Sequence, residues 1–228
     1  MRWDFSVCRA SIGQRESVGR DKTLTHSLLI ASSNPGKIRE IRALLPSDIA
    51  VVALHDLGLE SPDETGATLR ENADLKALYA AKASGMVALG DDSGLEVGAL
   101  RGAPGVRSAR FAGEPPDDAR NREALLSVLA DIPREQRRAR FFCAVTIATP
   151  DGTVWTSEGI LNGTILDRER GTRGFGYDSV FLLPNGRTVA ELLDEEKNAV
   201  SHRSAAIRKI LPPLQLALAR HDFDRSCQ

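Results

Sequence analysis

Two adjacent carboxylates, Asp91 and Asp92, followed by Ser93 and Gly94, close the short apolar run Val87-Ala88-Leu89-Gly90. The run reads as a buried strand, and the acidic pair is expected where that strand leaves its sheet, a usual place for ligands in α/β proteins. Neighbouring Asp side chains repel, and a divalent cation held by oxygen ligands would offset the repulsion. The same residues also suit a plain polar turn, and alone they leave both readings open. A second group able to do chemistry is Ser32-Ser33-Asn34-Pro35-Gly36-Lys37. Ser32, Ser33 or Asn34 can cap a helix that Pro35 begins, and free N–H groups at such an N-terminus, with Lys37 beside them, suit a phosphate. The spacing is not that of a Walker A loop, and a capped helix with a solvated lysine is the simpler local reading.

The elements that must position these groups follow from periodicity. Leu28 to Ala31 reads as a strand, and Ile38, Ile41, Leu44 and Leu45 recur at helical spacing, with Arg39, Glu40 and Arg42 on the other face. A strand at Ile49 to Leu54 and a loop through Glu64 lead to a helix from Ala67 to Ala83, ended by Gly85. On it Asn72 and Lys76 stand one turn apart beside Ala73 and Ala77, while Leu75, Leu78, Tyr79 and Lys82 share another face. Beyond the acidic pair, Arg101, Arg107 and Arg110 interleave with Gly and Pro, as in a loop near an anion or an ordinary basic loop. A helix is expected from Asp117 to Leu129. A long strand from Arg137 to Thr149, the hairpin signal Asp151-Gly152 and a return from Val154 to Ile160 suggest the core of a second lobe. The Gly-rich loop Gly171 to Asp178 offers aromatic faces to a base and leads into a strand at Ser179 to Leu183. Glu191 to Lys197 reads as a helical turn. Ser201 then caps a final helix, expected to break at Pro212-Pro213 and resume at Leu214 to Leu218, and apolar positions around Leu211 to Leu218 could serve a dimer.

The chain has 228 residues, 42% hydrophobic and 27% charged, with a net charge of -1. That suits one large domain or two small lobes, and offers no global basic field for nucleic acid. No apolar run reaches membrane-spanning length. Cys8, Cys143 and Cys227 are widely separated, which points to a reducing, cytoplasmic setting without a disulfide framework. Residues 1–26 lack a signal-peptide core and are expected to be a disordered or artefactual extension.

Taken in order, Ser32-x-Asn34-x-x-Lys37, Glu71-Asn72-Ala73-x-x-Lys76-Ala77, Asp91-Asp92-Ser93-Gly94-Leu95, Gly102-Ala103-Pro104-Gly105, Ser108-Ala109-Arg110, Gly174-Phe175-Gly176-Tyr177-Asp178 and Ser201-His202-Arg203 resemble the HAM1, or inosine triphosphate pyrophosphatase (dITP/XTP pyrophosphatase), family. The resemblance runs from about Leu28 to Leu218. It implies an α/β fold with a long mixed central sheet flanked by helices, in two lobes with an active-site cleft between them. It implies one such domain over 27–220, with a tail at 221–228. It further implies a magnesium-dependent homodimer that binds neither nucleic acid nor membrane. Such an enzyme hydrolyses ITP, dITP and XTP to the monophosphate and pyrophosphate, keeping them out of DNA and RNA.

Carried onto this chain, the resemblance makes Asp92 the proton acceptor and a magnesium ligand, with Glu64 and Asp91 as further acidic positions near the metal. Ser32, Ser33, Asn34, Pro35, Gly36, Lys37 and Lys76 would bind the triphosphate, and Ser93 the substrate. Phe175, Gly176, Tyr177, Asp178, Lys197, His202 and Arg203 would form the nucleoside side. Ser33 stands where many relatives have Gly, so the turn must keep a negative φ there. Arg203 and a protonated His202, both donors, would favour a 6-oxo purine over adenine.

Overall fold

The computed structural model describes residues 26–226. The expected N-terminal extension lies outside the described residues except for His26, which opens the first strand. A six-stranded mixed sheet has the order β2-β1-β3-β4-β5-β6. β1 (His26–Ile30) pairs parallel with β2 (Ile49–Ala53) and, over two residues only, with β3 (Ala88–Val97). β4 (Arg138–Ala148), β5 (Val154–Ile165) and β6 (Phe181–Leu182) continue antiparallel. The 148–154 hairpin and its two long strands thus belong to the one sheet, beside β3.

β3 does not end at the acidic pair. It pairs with β4 without interruption from Ala88↔Ala148 to Val97↔Ala139, so Asp91 and Asp92 lie in mid-strand. The expectation of a strand exit took Asp-Ser-Gly for turn chemistry. The alternation Leu89, Asp91, Ser93, Leu95 instead continues the pleat. Successive side chains of a strand point to opposite faces, so the pleat itself separates the two carboxylates. What does stop here is β1, whose last partner is Leu89. Beyond it the Asp91 carbonyl accepts from Lys37 Nζ and Lys76 Nζ, both at 3.4 Å, in place of a strand neighbour.

α1 (Pro35–Leu44) starts immediately after β1, with Pro at its first position and Asn34 as N-cap. α2 (Leu69–Ser84) is capped by Thr68 and closed by Gly85 in the left-handed conformation. It packs tightly on β3: a Cβ on Gly90 would stand 2.3 Å from the Ala73 carbonyl oxygen. α3 (Asp118–Val128) is capped by Asp117, and α4 (Asp194–Val200) precedes α5 (His202–Ser226). α5 runs unbroken through Pro212 and Pro213. The carbonyls that lose partners there belong to Arg208 and Lys209, both exposed, so water replaces the missing bonds. The helix also takes up most of the expected tail, and its Asp222 meets His26 Nδ1 at 2.5 Å. Leu214, Ala217 and Leu218 are core residues, leaving Leu216 as the exposed leucine of the segment proposed for a dimer.

Three apolar clusters result. One joins α1, α5 and the β1 end of the ladder through Leu89, Cys143, Val145 and Ile147. A second lies at the far end, with Leu95, Val97, Phe141, α3 and the 177–192 segment. The third is the alanine-rich face of α2 against the other side of β1 and β3. Asp91 to Ser93 fall between the first two, where β3 carries polar side chains opposite Cys143, Ala144 and Val145 of β4.

Candidate active site

Beside that polar stretch lies a cavity of about 650 Å³. Every residue assigned from the sequence lines it except Asp91. Three sides can be distinguished by the elements that supply them.

The first side is the turn into α1. Asn34 Oδ1 accepts from the N–H groups of Gly36 (2.9 Å) and Lys37 (3.2 Å), and Ser32 Oγ accepts from Asn34 N. The N–H groups expected to point outward for a phosphate are therefore used by the cap. Side chains rather than backbone must supply most of the attraction for an anion here. Ser33 keeps a negative φ, since Arg101 is the one non-glycine with positive φ among the described residues.

The second side comes from α2 and β3. Asp92, 5% exposed, points to the α2 face, where Lys76 Nζ lies 2.9 Å from its Oδ1 and Asn72 Nδ2 donates to its Oδ2 at 3.2 Å. Glu64 shares Lys76 at 2.5 Å and takes Arg110 at 2.9 Å. Burial alone would lift the Glu64 carboxyl and discharge the Lys76 ammonium. The mutual attraction outweighs it, so Glu64 is held below its ordinary range and Lys76 above. Both are charged at neutral pH.

Asp91, 1% exposed, points the other way and forms part of the wall behind the cavity. Lys37 Nζ lies 2.7 Å from Oδ1, Arg203 Nε donates to Oδ2 at 2.9 Å, and the Cys143 thiol donates to Oδ2 at 2.9 Å. Burial would raise its pKa, but Arg203 and Lys37 drive it far below the usual carboxylate value. It does not line the cavity, which sets it apart from Asp92 and Glu64.

The third side holds Phe175 to Asp178, Lys197, His202 and Arg203. Lys197 Nζ bridges Asp178 (2.6 Å) and Glu40 (2.7 Å) and stands 4.7 Å from the Phe175 ring centre. Burial lifts the Asp178 carboxyl despite Lys197. Arg203 is neither solvated nor a free fork. It donates to Asp91, to Glu40 and, at 2.9 Å, to Ser93 Oγ, leaving one Nη1 hydrogen. His202 stacks on Phe141 with ring centres 4.9 Å apart. Burial and the neighbouring Arg203 charge hold its pKa well below the ordinary value, so the protonated His202 expected from the sequence is corrected to a neutral ring. Its Nδ1 is buried without a partner among the described residues.

The sequence reading missed Glu40, Arg39 and Phe141. Glu40 sat on the polar face of an amphipathic helix, and nothing local marks it as the joint between Lys197 and Arg203. A half-buried carboxylate of this kind is foreshadowed only by the cations that need it.

Among the described residues no group of three or more His, Cys, Asp or Glu is arranged to hold a metal ion. Asp92 and Glu64 do line one cavity, and that donor set matches an ion bound by one or two carboxylates together with a ligand's phosphates, rather than an all-protein cage. No helix among the described residues is long and apolar enough to cross a membrane.

A sequence model of the Ham1 family matches residues 28–212. A dITP/XTP pyrophosphatase of Haemophilus influenzae is 49% identical over 189 residues, which are 81% of this chain and 96% of that protein. One from Desulforamulus reducens is 48% identical over 187 residues, covering 81% and 93%. Among solved structures, a Ham1 protein from Coxiella burnetii superposes with a TM-score of 0.76 at 37% identity, over 85% of this chain and 100% of its own. The Staphylococcus aureus Ham1 protein gives 0.74 at 40% identity, over 83% and 98%.

Proposed function

Since the chain belongs to the Ham1 family, we propose that it is a nucleoside triphosphate pyrophosphatase. In this reading it splits the non-canonical purine triphosphates ITP, dITP and XTP into monophosphate and pyrophosphate and so keeps them out of DNA and RNA. The observation that carries the reading is the setting of Asp92: a carboxylate on the cavity wall, held from α2 by Lys76 and Asn72, close to the Ser32–Lys37 turn.

Lys37 and Lys76 supply charge for the polyphosphate. Lys76 stays an ammonium and therefore donates to a phosphate oxygen rather than acting as a base. Asp92 orients and deprotonates the water that attacks the α-phosphorus in line, with pyrophosphate leaving. Its Lys76 and Asn72 bonds fix the direction of the carboxylate while spare lone pairs face the water. Asp92 and Glu64 would hold magnesium, which when bound with the substrate would neutralise phosphate charge and acidify water.

On the nucleoside side, Phe175 offers a ring face, and the remaining Nη1 hydrogen of Arg203 suits the 6-oxo group of hypoxanthine or xanthine. Adenine would place an amino donor against a donor, and an unpaired buried donor costs about 1–3 kcal/mol.

Product analysis tests the reading. With ITP and magnesium the protein should give IMP and pyrophosphate, and should largely spare GTP. IDP with orthophosphate would overturn attack at the α-phosphorus, and no turnover of any purine triphosphate would overturn the function. In the same assay Asp92→Asn should lose nearly all turnover, and near-normal rates would remove Asp92 from its role.

A further inference from the structure

The loop that carries Phe175 is gripped by α3 at the cavity rim, where Asp118 lines the cavity and Arg122 stands behind it. We propose that Asp118 and Arg122 of α3 are positioning residues for the nucleoside side: together they fix the Gly176 peptide and, through it, the Phe175 ring. The inference rests on the reading that Phe175 faces a purine.

Asp118 Oδ2 accepts from Gly176 N at 2.7 Å, and Arg122 Nη1 donates to Gly176 O at 2.9 Å. The two residues are one helical turn apart, so their side chains emerge on the same face of α3. The N–H and C=O of one residue are thus both held by side chains. Gly176 has φ +58 and is followed by Tyr177, whose hydroxyl donates to Ser108 O at 2.8 Å. A glycine in that conformation resists reorientation poorly by itself, because its backbone has wide freedom. The clasp supplies what the backbone does not.

The frame behind the clasp is itself fixed. Arg122 Nε stands 2.9 Å from Glu169, which accepts from Ser179 Oγ at 2.7 Å. Asn121, buried between the two clasp residues, ties α3 to the preceding loop through Ala112 N and Ala109 O, both at 2.8 Å. On the other side of the loop the Phe175 ring lies against α1: a Cβ on Gly36 would stand 2.8 Å from it. Phe175 N donates to Asp178 at 3.0 Å, so the ring sits between a peptide clasped by α3 and the Asp178–Lys197 pair. Neither clasp residue contacts Lys37, Lys76 or Asp92. Loosening the clasp should therefore weaken the nucleoside contact and leave the phosphate contacts intact.

The test compares Arg122→Met and Asp118→Ala, with Arg122→Lys and Asp118→Asn as conservative partners, in the full chain. Amide exchange across residues 174–178 reads the loop. Calorimetric titration with IMP and, separately, inorganic pyrophosphate reads the two halves of the ligand. Each disruptive variant should speed exchange at Gly176 and weaken IMP about tenfold, a single lost hydrogen bond's worth. It should raise KM for ITP with little change in kcat, and leave pyrophosphate affinity within twofold. The conservative variants should recover most of the IMP affinity. Unchanged IMP affinity in a variant whose loop has loosened would overturn the proposal, as would equal weakening of IMP and pyrophosphate. If one disruptive variant fails to fold, the other decides by the same criteria. A wild-type protein that binds no purine nucleotide would refute the function, and hence the nucleoside role of the clasp, whereas the exchange result would still report whether α3 holds the loop.

Discussion

Asp91→Asn keeps the shape of the side chain and removes its charge, and it separates a wall residue from a metal ligand. The carboxylate is fully buried against Lys37 at 2.7 Å and Arg203 at 2.9 Å, with the Cys143 thiol on the same oxygen as Arg203. Without it, Arg203 retains Glu40, but the nearest remaining carboxylate to Lys37 is Asp92 at 3.9 Å. Removing one member of a buried ion pair costs about 3–5 kcal/mol. Asn keeps an acceptor oxygen and Arg203 keeps one anion, which places the loss near the lower end, about 3 kcal/mol. At roughly 2–4 °C per kcal/mol for a domain of this size, the melting temperature should fall by roughly 6–12 °C. The sign of the pH dependence follows from the lowered pKa of Asp91. Its stabilisation is fully present above the unfolded-state value of about 3.9 and is lost as pH falls through the folded-state value. The gap between wild type and variant should thus be constant from pH 7 to about pH 4.5 and narrow below. Urea unfolding followed by circular dichroism at several pH values measures it. A variant as stable as wild type that instead needs far more magnesium for turnover would refute the reasoning and make Asp91 a metal ligand.

Other outcomes follow from the same geometry. Gly90→Ala should cost about 1–3 kcal/mol by overpacking and lower kcat, because α2 must retreat from a Cβ 2.3 Å from Ala73 O and carry Lys76 away from Asp92; a thermal melt and a rate reveal both. His202 has a lowered folded-state pKa, so the unfolded chain binds the extra proton and stability falls as pH drops below about 6.5. His202→Gln should remove one proton's worth of that slope between pH 5 and 6.5, and an unchanged slope would contradict a neutral buried ring. Arg39 lines the cavity and has no ion pair with a carboxylate among the described residues. Arg39→Gln should weaken tripolyphosphate binding, with the difference shrinking as salt rises; a salt-independent effect would argue against a charge contact.

Much of this was legible in the chain. α1 and α3 announce themselves by caps and by apolar spacing, and the ordered motifs gather around one cavity, some from loops and element ends, Asp92 and Lys76 from the middle of β3 and α2. The length of β3 was not legible. Asp-Asp-Ser-Gly has turn composition, and only the β4 partner and three distant cations make it a strand. The charge state of His202 was equally hidden, since the Phe141 ring and the Arg203 charge that neutralise it act through the fold rather than through neighbouring letters. Pro212-Pro213 misled for a different reason: the cost of proline falls on carbonyls a turn earlier, and these happen to face water. Glu40 shows the general limit, because a helix's polar face looks solvated until the residues it meets are known.

Arg203 reaches Asp91 across 112 positions of sequence and Glu40 across 163, and His26 meets Asp222 across 196. On a ribosome, the carboxylates of β3 and α1 therefore wait for almost the whole message to be read before their guanidinium arrives. Until α5 emerges, the nascent chain holds Asp91 without the charge that makes its burial tolerable, and the first apolar cluster lacks one of its two helices. Contacts so remote in sequence form late and slowly. A message cut short before Arg203 would yield not a weakened catalyst but a chain with no closed wall around its acidic pair, left for proteolysis rather than for service.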